Sequence, residues 1–164
     1  MQPSLRRMRA RRADDDRGFT LIELLVVVVI IGVLVAIAIP MYLNYRKGAE
    51  NKSAESDVRG AISAVEQFYT ENANQYPDPK DNAGAPGTPV ILKIGAGTAT
   101  QTITTSSGNT LSYVRNGLVA VATTYWVCGF NADGATVYVY NSATGGSVGK
   151  STSTTFALCV TSGL

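Results

Sequence analysis

The stretch RGFTLIELLVVVVIIGVLVAIAIP, from Arg17 to Pro40, places one acidic residue, Glu23, at the start of an otherwise apolar run. A carboxylate at the centre of a membrane costs about 3 kcal/mol on insertion scales, so this charge requires a compensating partner or a use. The eighteen residues from Leu24 to Met41 are interrupted only by Gly32 and Pro40. A run of this length can cross a bilayer as a helix.

Length and charge limit the classes of protein that the chain can belong to. Its 164 residues suffice for one domain with an appended element. Residues 1–18 contain six Arg and three Asp, a net charge of +3, whereas the rest contains eight basic and nine acidic residues, a net charge of −1. This near-neutral body lacks the clustered Lys and Arg of a nucleic-acid-binding face, so no general nucleic-acid partner is expected.

The chemistry-bearing residues are few. The chain has no His, and thirty residues separate its two cysteines, Cys128 and Cys159. Without a CxxC spacing or an imidazole, the sequence predicts no metal site and no cofactor. An enzyme would need a nucleophile, base or metal constellation, and none is visible, so we expect a chain without catalytic residues. A structural disulfide in an oxidising compartment is favoured over two free thiols.

The flanks of the apolar run indicate its orientation. The Arg-rich segment should stay cytoplasmic, which places the chain after Pro40 on the other side of the membrane. A secretory signal would have a shorter apolar core followed by a small-residue cleavage site. A plain membrane anchor explains the Arg cluster and the apolar run, but it leaves Glu23 unexplained.

The segment resembles the N-terminus of type IV prepilins and the related pseudopilins. Their leader ends in Gly, followed by Phe, Thr, Leu and a Glu at the fifth mature position, and Glu23 is the fifth residue counted from Phe19. The resemblance implies that a membrane-embedded prepilin peptidase cuts between Gly18 and Phe19 and methylates the new amine of Phe19. The chain is then a substrate and not an enzyme.

The same resemblance gives Glu23 a role in assembly. A new α-amine is largely protonated near neutral pH, and a cation attracts a carboxylate far more strongly in an apolar bundle than in water. If the amine belongs to a neighbouring subunit, Glu23 is paired only after assembly, and the pair fixes the register between subunits. The alternative is that Glu23 snorkels to the membrane interface.

Gly32 and Pro40 bracket the weakest part of the predicted helix, because Pro removes a backbone hydrogen bond and Gly adds freedom to the unfolded chain. In pilins of similar sequence this segment can lose helicity when the fibre forms, which implies extensibility. The alternative is a simple kink tolerated in a membrane helix.

The remaining chain is predicted to divide into an amphipathic helix and a headgroup. Apolar residues three and four apart form one stripe, and charged residues lie on the other face. The stripe is Ala54, Val58, Ala61, Ile62, Val65, Phe68 and Tyr69, and the charged face is Lys52, Glu55, Asp57, Arg59 and Glu66. The predicted segments are a leader to be removed (1–18), a transmembrane or assembly half of the helix (19–43), an amphipathic half (44–72) and a headgroup (73–164).

Within the headgroup, the Pro-rich residues 73–89 predict a surface loop, and residues 90–164 an antiparallel sheet. The β-prone runs are VILKI, TQTITT, TLSYV, TTYWVCGF, ATVYVY and TFALCV, with a hairpin turn at NADG. A sheet covering the helix stripe gives an α+β fold. This layout is similar to the pilin headgroup, in which a C-terminal disulfide, here Cys128–Cys159, closes a variable loop (128–159) whose exposed tip is a solvated spacer or a site for contacts and glycosylation.

Two sets of aromatic residues each have two alternative interpretations. Trp126 is interpreted as core, next to a half-cystine, rather than as a ligand platform. The spacing of Tyr42, Tyr45, Tyr69 and Tyr76 is too irregular for conduction, and packing or interfacial roles explain them more simply.

The resemblance implies a structural subunit of a type IV pilus, a homo-oligomeric helical fibre for adhesion, twitching motility or DNA uptake. Its partners would be the prepilin peptidase, the inner-membrane assembly machinery and, before assembly, the membrane, in which the precursor spans once with its C-terminal domain outside. The first alternative is a type II secretion pseudopilin, although its major forms typically hold calcium with acids near the C-terminus, where Asp133 is the only acid after Asp81. The second is a membrane-anchored exported binding domain.

Overall fold

The computed structural model describes residues 18–78, 85–94, 101–116 and 124–164. Within these residues, two helices and six strands follow one another in the order α1, β1 to β6, α2. The chain divides into two compact units, of which the first ends at Tyr42 and the second begins at Leu43. A long N-terminal helix and antiparallel sheets confirm the predicted α+β class. Residues 1–17 of the predicted leader and 79–84 of the predicted loop lie outside the described residues.

Helix α1 comprises 51 residues, Leu21–Glu71. Its second half carries the predicted stripe, of which five members are buried and Ile62 and Tyr69 are partly buried. The buried members are Ala54, Val58, Ala61, Val65 and Phe68. The opposite face differs from the prediction at Glu55, which is only 8% exposed. Lys52 and Arg59 donate to its two carboxylate oxygens at 2.7 and 2.5 Å, and a buried carboxylate requires such pairing.

In the part of the chain that the structure describes, the strands form two sheets instead of the single predicted one. Strands β1 (Val90–Leu92) and β2 (Gln101–Ile103) make a two-stranded ribbon. The four-stranded antiparallel sheet has the order β3-β4-β5-β6, and its register pairs Tyr113 with Val127 and Cys128 with Val139. Its strands are β3 (Asn109–Asn116), β4 (Thr124–Asn131), β5 (Val137–Asn141) and β6 (Gly149–Lys150). The predicted hairpin turn at NADG connects β4 to β5.

One hydrophobic core lies between the second half of α1 and the sheets. Alternate residues of β3 and β4 reach it, including Leu111, Tyr113, Tyr125 and Val127, each no more than 1% exposed. This alternation is expected of strands that have one face on a core. Burial of these side chains supplies most of the driving force that holds the sheet to the helix.

The last predicted strand, TFALCV, is instead the short helix α2, Phe156–Ser162. Thr155 caps its N-terminus through a hydrogen bond from Leu158 N, and Gly163 ends it in the left-handed region at a φ of 67°. Helix α2 packs over a second cluster formed around Cys128, Val137 and Cys159. The sheet therefore ends at Lys150, and a helix covers the residues that were predicted to extend it.

The predicted surface loop after α1 is anchored in the structure at Pro77, which is buried. Its carbonyl accepts hydrogen bonds from Tyr113 Oη at 3.1 Å and from Arg115 Nη1 at 3.3 Å, and Arg115 also reaches Asp78 at 3.4 Å. A run rich in Pro and turn residues indicated a loop, but not that β3 side chains would hold its first part.

A polar network fastens the β4–β5 turn to α1. Asn131 accepts from the backbone N–H groups of Asp133 and Gly134, and its amide donates to Asn109 Oδ1 at 2.8 Å and Glu50 at 3.1 Å. Arg46 pairs with Asp133 at 2.6 Å. These bonds satisfy two buried amide side chains and fix the turn against the helix.

Candidate functional site

Glu23 lies in the first turn of α1 and forms a reciprocal cap with Thr20. The backbone N–H and the hydroxyl of Thr20 donate to Glu23 Oε2 at 2.9 and 2.8 Å, and Glu23 N donates to Thr20 Oγ1 at 3.3 Å. This is a capping box, in which the residue before the helix and the third residue inside it satisfy each other's free groups. The carboxylate is therefore held at the N-terminus of the helix, where the helix dipole favours a negative charge.

The surroundings of Glu23 are apolar and uncovered in the single chain. Glu23 is the one charged residue between Gly18 and Tyr45 in the sequence. With Phe19, Ile22, Val26 and Val27 it lines a shallow open concavity of about 420 Å³. The helix is long and apolar enough to cross a membrane by length and composition, a test that signal sequences and buried helices also pass.

The predicted cleavage site lies just outside the helix. Gly18, Phe19 and Thr20 are not helical, and the side chain of Phe19 is 80% exposed. A Cβ atom placed on Gly18 would meet no heavy atom within 4 Å. Phe19 and Glu23 line the same concavity, so the structure brings together two of the residues named for processing and assembly.

Helix α1 of the single chain runs continuously through Gly32 and Pro40, the two residues that bracket the predicted weak segment. The missing N–H of Pro40 removes one hydrogen bond from the helix. Loss of helicity on assembly remains a prediction.

Cys128 and Cys159 form a disulfide, as predicted, with Cα atoms 6.2 Å apart. It joins β4 to α2 and is fully buried. Trp126 is half-buried against the same cluster, and its indole N–H donates to the Val160 carbonyl at 3.1 Å. These contacts account for Trp126 as a packing residue.

The four tyrosines considered together in the sequence separate in the structure. Tyr42 and Tyr45 are 67% and 74% exposed. Tyr69 and Tyr76 instead stack with ring centroids 4.5 Å apart, at the turn that follows α1.

The sequence interpretation missed Thr20 as the partner of Glu23. The signal was present, because Thr20 and Glu23 have the spacing of a capping box before an apolar run.

Comparison with known proteins identifies the class of motif in the N-terminal segment. Residues 14–39 match the prokaryotic N-terminal methylation motif. This match includes Gly18, Phe19, Thr20 and Glu23. The chain thus carries an N-terminal methylation motif, and, together with the relatives below, this confirms the resemblance to type IV pilins and type II secretion pseudopilins.

Three relatives make the comparison specific. The chain is 37% identical over 78 residues to the type IV major pilin protein PilE1 of Neisseria gonorrhoeae, covering 48% of this chain and 47% of the relative. It is 39% identical over 72 residues to the type IV major pilin protein PilA of Myxococcus xanthus, covering 43% and 32%. It is 37% identical over 67 residues to the type II secretion system core protein G of Escherichia coli, covering 41% and 46%.

The matched part of these relatives is limited. The chain spans about half the length, or less, of the relatives it matches. The names include pilins and a secretion-system protein, and none of the three names an enzyme, which fits the expectation from the sequence.

Proposed function

We propose that this chain is the precursor of a structural subunit of a type IV pilus. A prepilin peptidase cuts it between Gly18 and Phe19, methylates the amine of Phe19, and the mature chain polymerises through its N-terminal helix into an extracellular fibre. The observation that carries the proposal is Glu23, a capped carboxylate that lines an exposed, largely apolar concavity together with Phe19.

Cleavage at Gly18 is supported by the local backbone. A protease needs an extended, accessible segment, and the helix begins only at Leu21. Gly18 has no side chain to obstruct a narrow active site, and nothing crowds its Cα. The Thr20–Glu23 cap ends the helix before the Gly18–Phe19 bond, so this bond need not be unwound.

Pairing between the new amine and Glu23 provides the free energy for ordered assembly. An α-amine has a pKa of about 7.7–8.0 and is mostly cationic at neutral pH. A buried carboxylate that loses its partner costs several kcal/mol, so subunits in wrong register are disfavoured. In the single chain, the Thr20 hydroxyl donates a hydrogen bond to the Glu23 carboxylate. This bond lowers the free-energy cost of holding the carboxylate in a membrane before a neighbouring subunit binds.

The topology follows from charge and from the disulfide. Six Arg residues before Phe19 keep the leader in the cytoplasm, and the headgroup with Cys128–Cys159 lies on the other side of the inner membrane, where disulfides form. The assembly machinery in that membrane then transfers the subunit to the fibre. What the fibre serves, whether adhesion, twitching motility or DNA uptake, is part of the same proposal.

The second candidate is a pseudopilin of a type II secretion system. It is favoured by the relative named type II secretion system core protein G, which at 37% identity over 67 residues is about as similar to this chain as the pilins are. The two functions share processing and differ in where the polymer ends, which is on the cell surface for a pilus and in the envelope for a pseudopilus.

The test is mass spectrometry of the mature N-terminus in sheared surface material, with three variants compared. Glu23→Gln keeps a side chain able to cap the helix and removes the charge. Thr20→Val keeps the charge and removes the hydroxyl. Glu71→Gln, at the exposed end of α1, is the matched control for loss of one carboxylate.

We expect a methylated Phe19 start in surface fibres of the wild type and of Glu71→Gln, and no surface fibre from Glu23→Gln. Thr20→Val should retain fibres at reduced yield, because it loses the hydroxyl but not the charge pair. A processed Phe19 found only in the envelope would indicate the pseudopilin. An uncut chain, or normal fibres from Glu23→Gln, would overturn the proposal.

A further inference from the structure

Five tyrosines form one cluster between α1 and the four-stranded sheet. The ring centroids of Tyr69 and Tyr76 are 4.5 Å apart, and those of Tyr76 and Tyr125 are 5.1 Å apart. Tyr125 also lies 5.7 Å from Tyr113 and 5.8 Å from Tyr140. Tyr125 is therefore the centre of the cluster, and three other rings contact it.

The hydroxyl of Tyr125 has a partner that can accept its proton. Tyr125 is fully buried, and its Oη donates to Glu66 Oε1 at 2.7 Å. Glu66 is exposed to solvent, so a proton received from the phenol can leave to water. A carboxylate within hydrogen-bond reach of a buried phenol satisfies the geometry required of a general base.

Burial keeps Tyr125 protonated, since it raises the pKa of the phenol far above its usual value. An electron cannot then leave Tyr125 without its proton, unless a cationic phenol forms in the core. Glu66 removes this obstacle because the proton can move as the electron leaves.

Tyr113 is the built-in comparison. It is equally buried, and burial raises its pKa as well. Its hydroxyl donates to the Pro77 carbonyl at 3.1 Å, and a backbone carbonyl cannot take up the proton. The two phenols therefore share packing and burial but differ in the chemistry of the acceptor.

Tyr69 and Tyr76 give the buried ring a route to the surface. Both are partly exposed, and Tyr76 contacts Tyr125 directly. An oxidant in solution can reach them, whereas it cannot touch Tyr125. Each step between neighbouring rings in this series is no longer than 5.1 Å between centroids.

We propose that Tyr125 and Glu66 form a proton-coupled radical site, supplied through Tyr76 and Tyr69, that scavenges diffusible one-electron oxidants. One electron passes from Tyr125 through the outer rings to the oxidant, which is reduced to its anion. The phenolic O–H bond breaks and its proton passes to Glu66 Oε1, leaving a neutral tyrosyl radical and a neutral carboxylic acid. Glu66 later returns its proton to water.

This activity is separate from fibre assembly. All of its residues lie in the second unit, and the electron moves within one headgroup. Packing alone also places aromatic rings 4.5–7 Å apart, so ring distances do not distinguish a radical site from a core. The acceptor of the Tyr125 proton does distinguish them, and the test is built on it.

The probe is the azidyl radical, an inorganic one-electron oxidant made by pulse radiolysis, with the full chain in detergent micelles. The absorption band of the tyrosyl radical reports the oxidation of tyrosine. Trp126 is followed separately by the indolyl band. Glu66→Gln retains an acceptor for the Tyr125 hydroxyl and removes the base, while Tyr125→Phe removes the site.

We expect a long-lived tyrosyl radical in the wild type that is lost in Tyr125→Phe. In Glu66→Gln its rate of formation should fall by about a hundredfold, which is typical of losing a positioned base. Tyr113→Phe should leave yield and lifetime unchanged. Circular dichroism of each variant establishes that the fold is retained.

Three results would overturn the proposal. They are a long-lived radical that persists in Tyr125→Phe, a rate in Glu66→Gln equal to the wild type, and an equal loss in Tyr113→Phe and Tyr125→Phe. The last would mean that the cluster only packs. A Tyr76→Phe variant that forms the Tyr125 radical at the wild-type rate would refute the supply route.

Discussion

Gly129 on β4 lies directly against Val58 on α1, with no space for a side chain between them. A Cβ atom on Gly129 would overlap Val58 Cγ2 and would approach Leu111 Cδ2 to 3.1 Å and the Ala54 carbonyl oxygen to 3.2 Å. This close approach lets the sheet contact the helix surface directly, so that the core is closely packed at that point.

Gly129→Ala should therefore destabilise the headgroup by about 1–3 kcal/mol, the usual cost of overpacking. Chemical denaturation followed by Trp126 fluorescence would measure the loss. Gly149→Ala on β6 is the matched control, because a Cβ there meets nothing within 4 Å, and it should change stability by less than about 0.5 kcal/mol. Equal effects of the two substitutions would mean that α1 and β4 are not in this close contact.

The β4–β5 turn offers a pair of opposite substitutions at adjacent positions. Ala135 has a φ of 61°, which L-residues rarely adopt, whereas a Cβ on Gly134 would come within 3.0 Å of the Asn51 backbone nitrogen. Ala135→Gly should stabilise the headgroup by about 0.5–1 kcal/mol, and Gly134→Ala should destabilise it. Thermal unfolding of both variants checks the signs, and the reverse order would contradict this turn conformation.

Much of the fold could be predicted because the period of the sequence matches the period of the structure. In the stripe from Ala54 to Phe68, buried apolar residues recur every three or four positions. In β3 and β4, buried residues recur at every second position. The prediction of a strand at TFALCV was wrong because its Phe and Val residues favour strands, whereas the run forms α2. Thr155 and Gly163 were available as helix-end signals, but the contacts that fix α2, through Cys128 and Trp126, are distant in sequence.

The candidate site was predictable in part. Glu23 could be named as a site residue because it belongs to a motif that is read directly from the sequence. The burial of Pro77 could not be predicted, since it is held by Tyr113 and Arg115 of another element. The pairing of Glu55 with Lys52 and Arg59 follows helical spacing, but its burial does not follow from that spacing. Side-chain hydrogen bonds across more than thirty residues leave no periodic trace in the sequence.

Glu55 should make headgroup stability depend on pH. The hydrogen bond from Lys52, with the charges of Lys52 and Arg59, lowers the pKa of Glu55 in the folded chain. A lowered pKa contributes stability above the unfolded value of about 4.3, and this is lost as the pH falls through the folded value. Unfolding measured between neutral and acidic pH should show a weaker acid dependence in Glu55→Gln, and an unchanged slope would contradict the pairing.

The disulfide should stabilise the headgroup and hold α2 over the second cluster. Replacing both Cys128 and Cys159 by Ser should cost about 2–5 kcal/mol, the usual cost of removing a native disulfide from a small secreted domain. The single tryptophan, Trp126, packs on this cluster, so its fluorescence should shift to the red if α2 detaches. Unchanged emission together with lost stability would mean that α2 remains docked without its covalent link.

Pro40 tests whether the continuous α1 helix loosens when the chain assembles. Pro40→Ala restores an N–H that can donate to the Ala36 carbonyl and removes a helix penalty of about 3 kcal/mol. If the segment unwinds in a fibre, hydrogen exchange between residues 32 and 40 should be fast in wild-type fibres and slow in Pro40→Ala fibres, which should also extend less under force. Gly32→Ala should likewise stabilise the helix, by about 1 kcal/mol. Full protection of this segment in wild-type fibres would instead establish a tolerated proline within an intact helix.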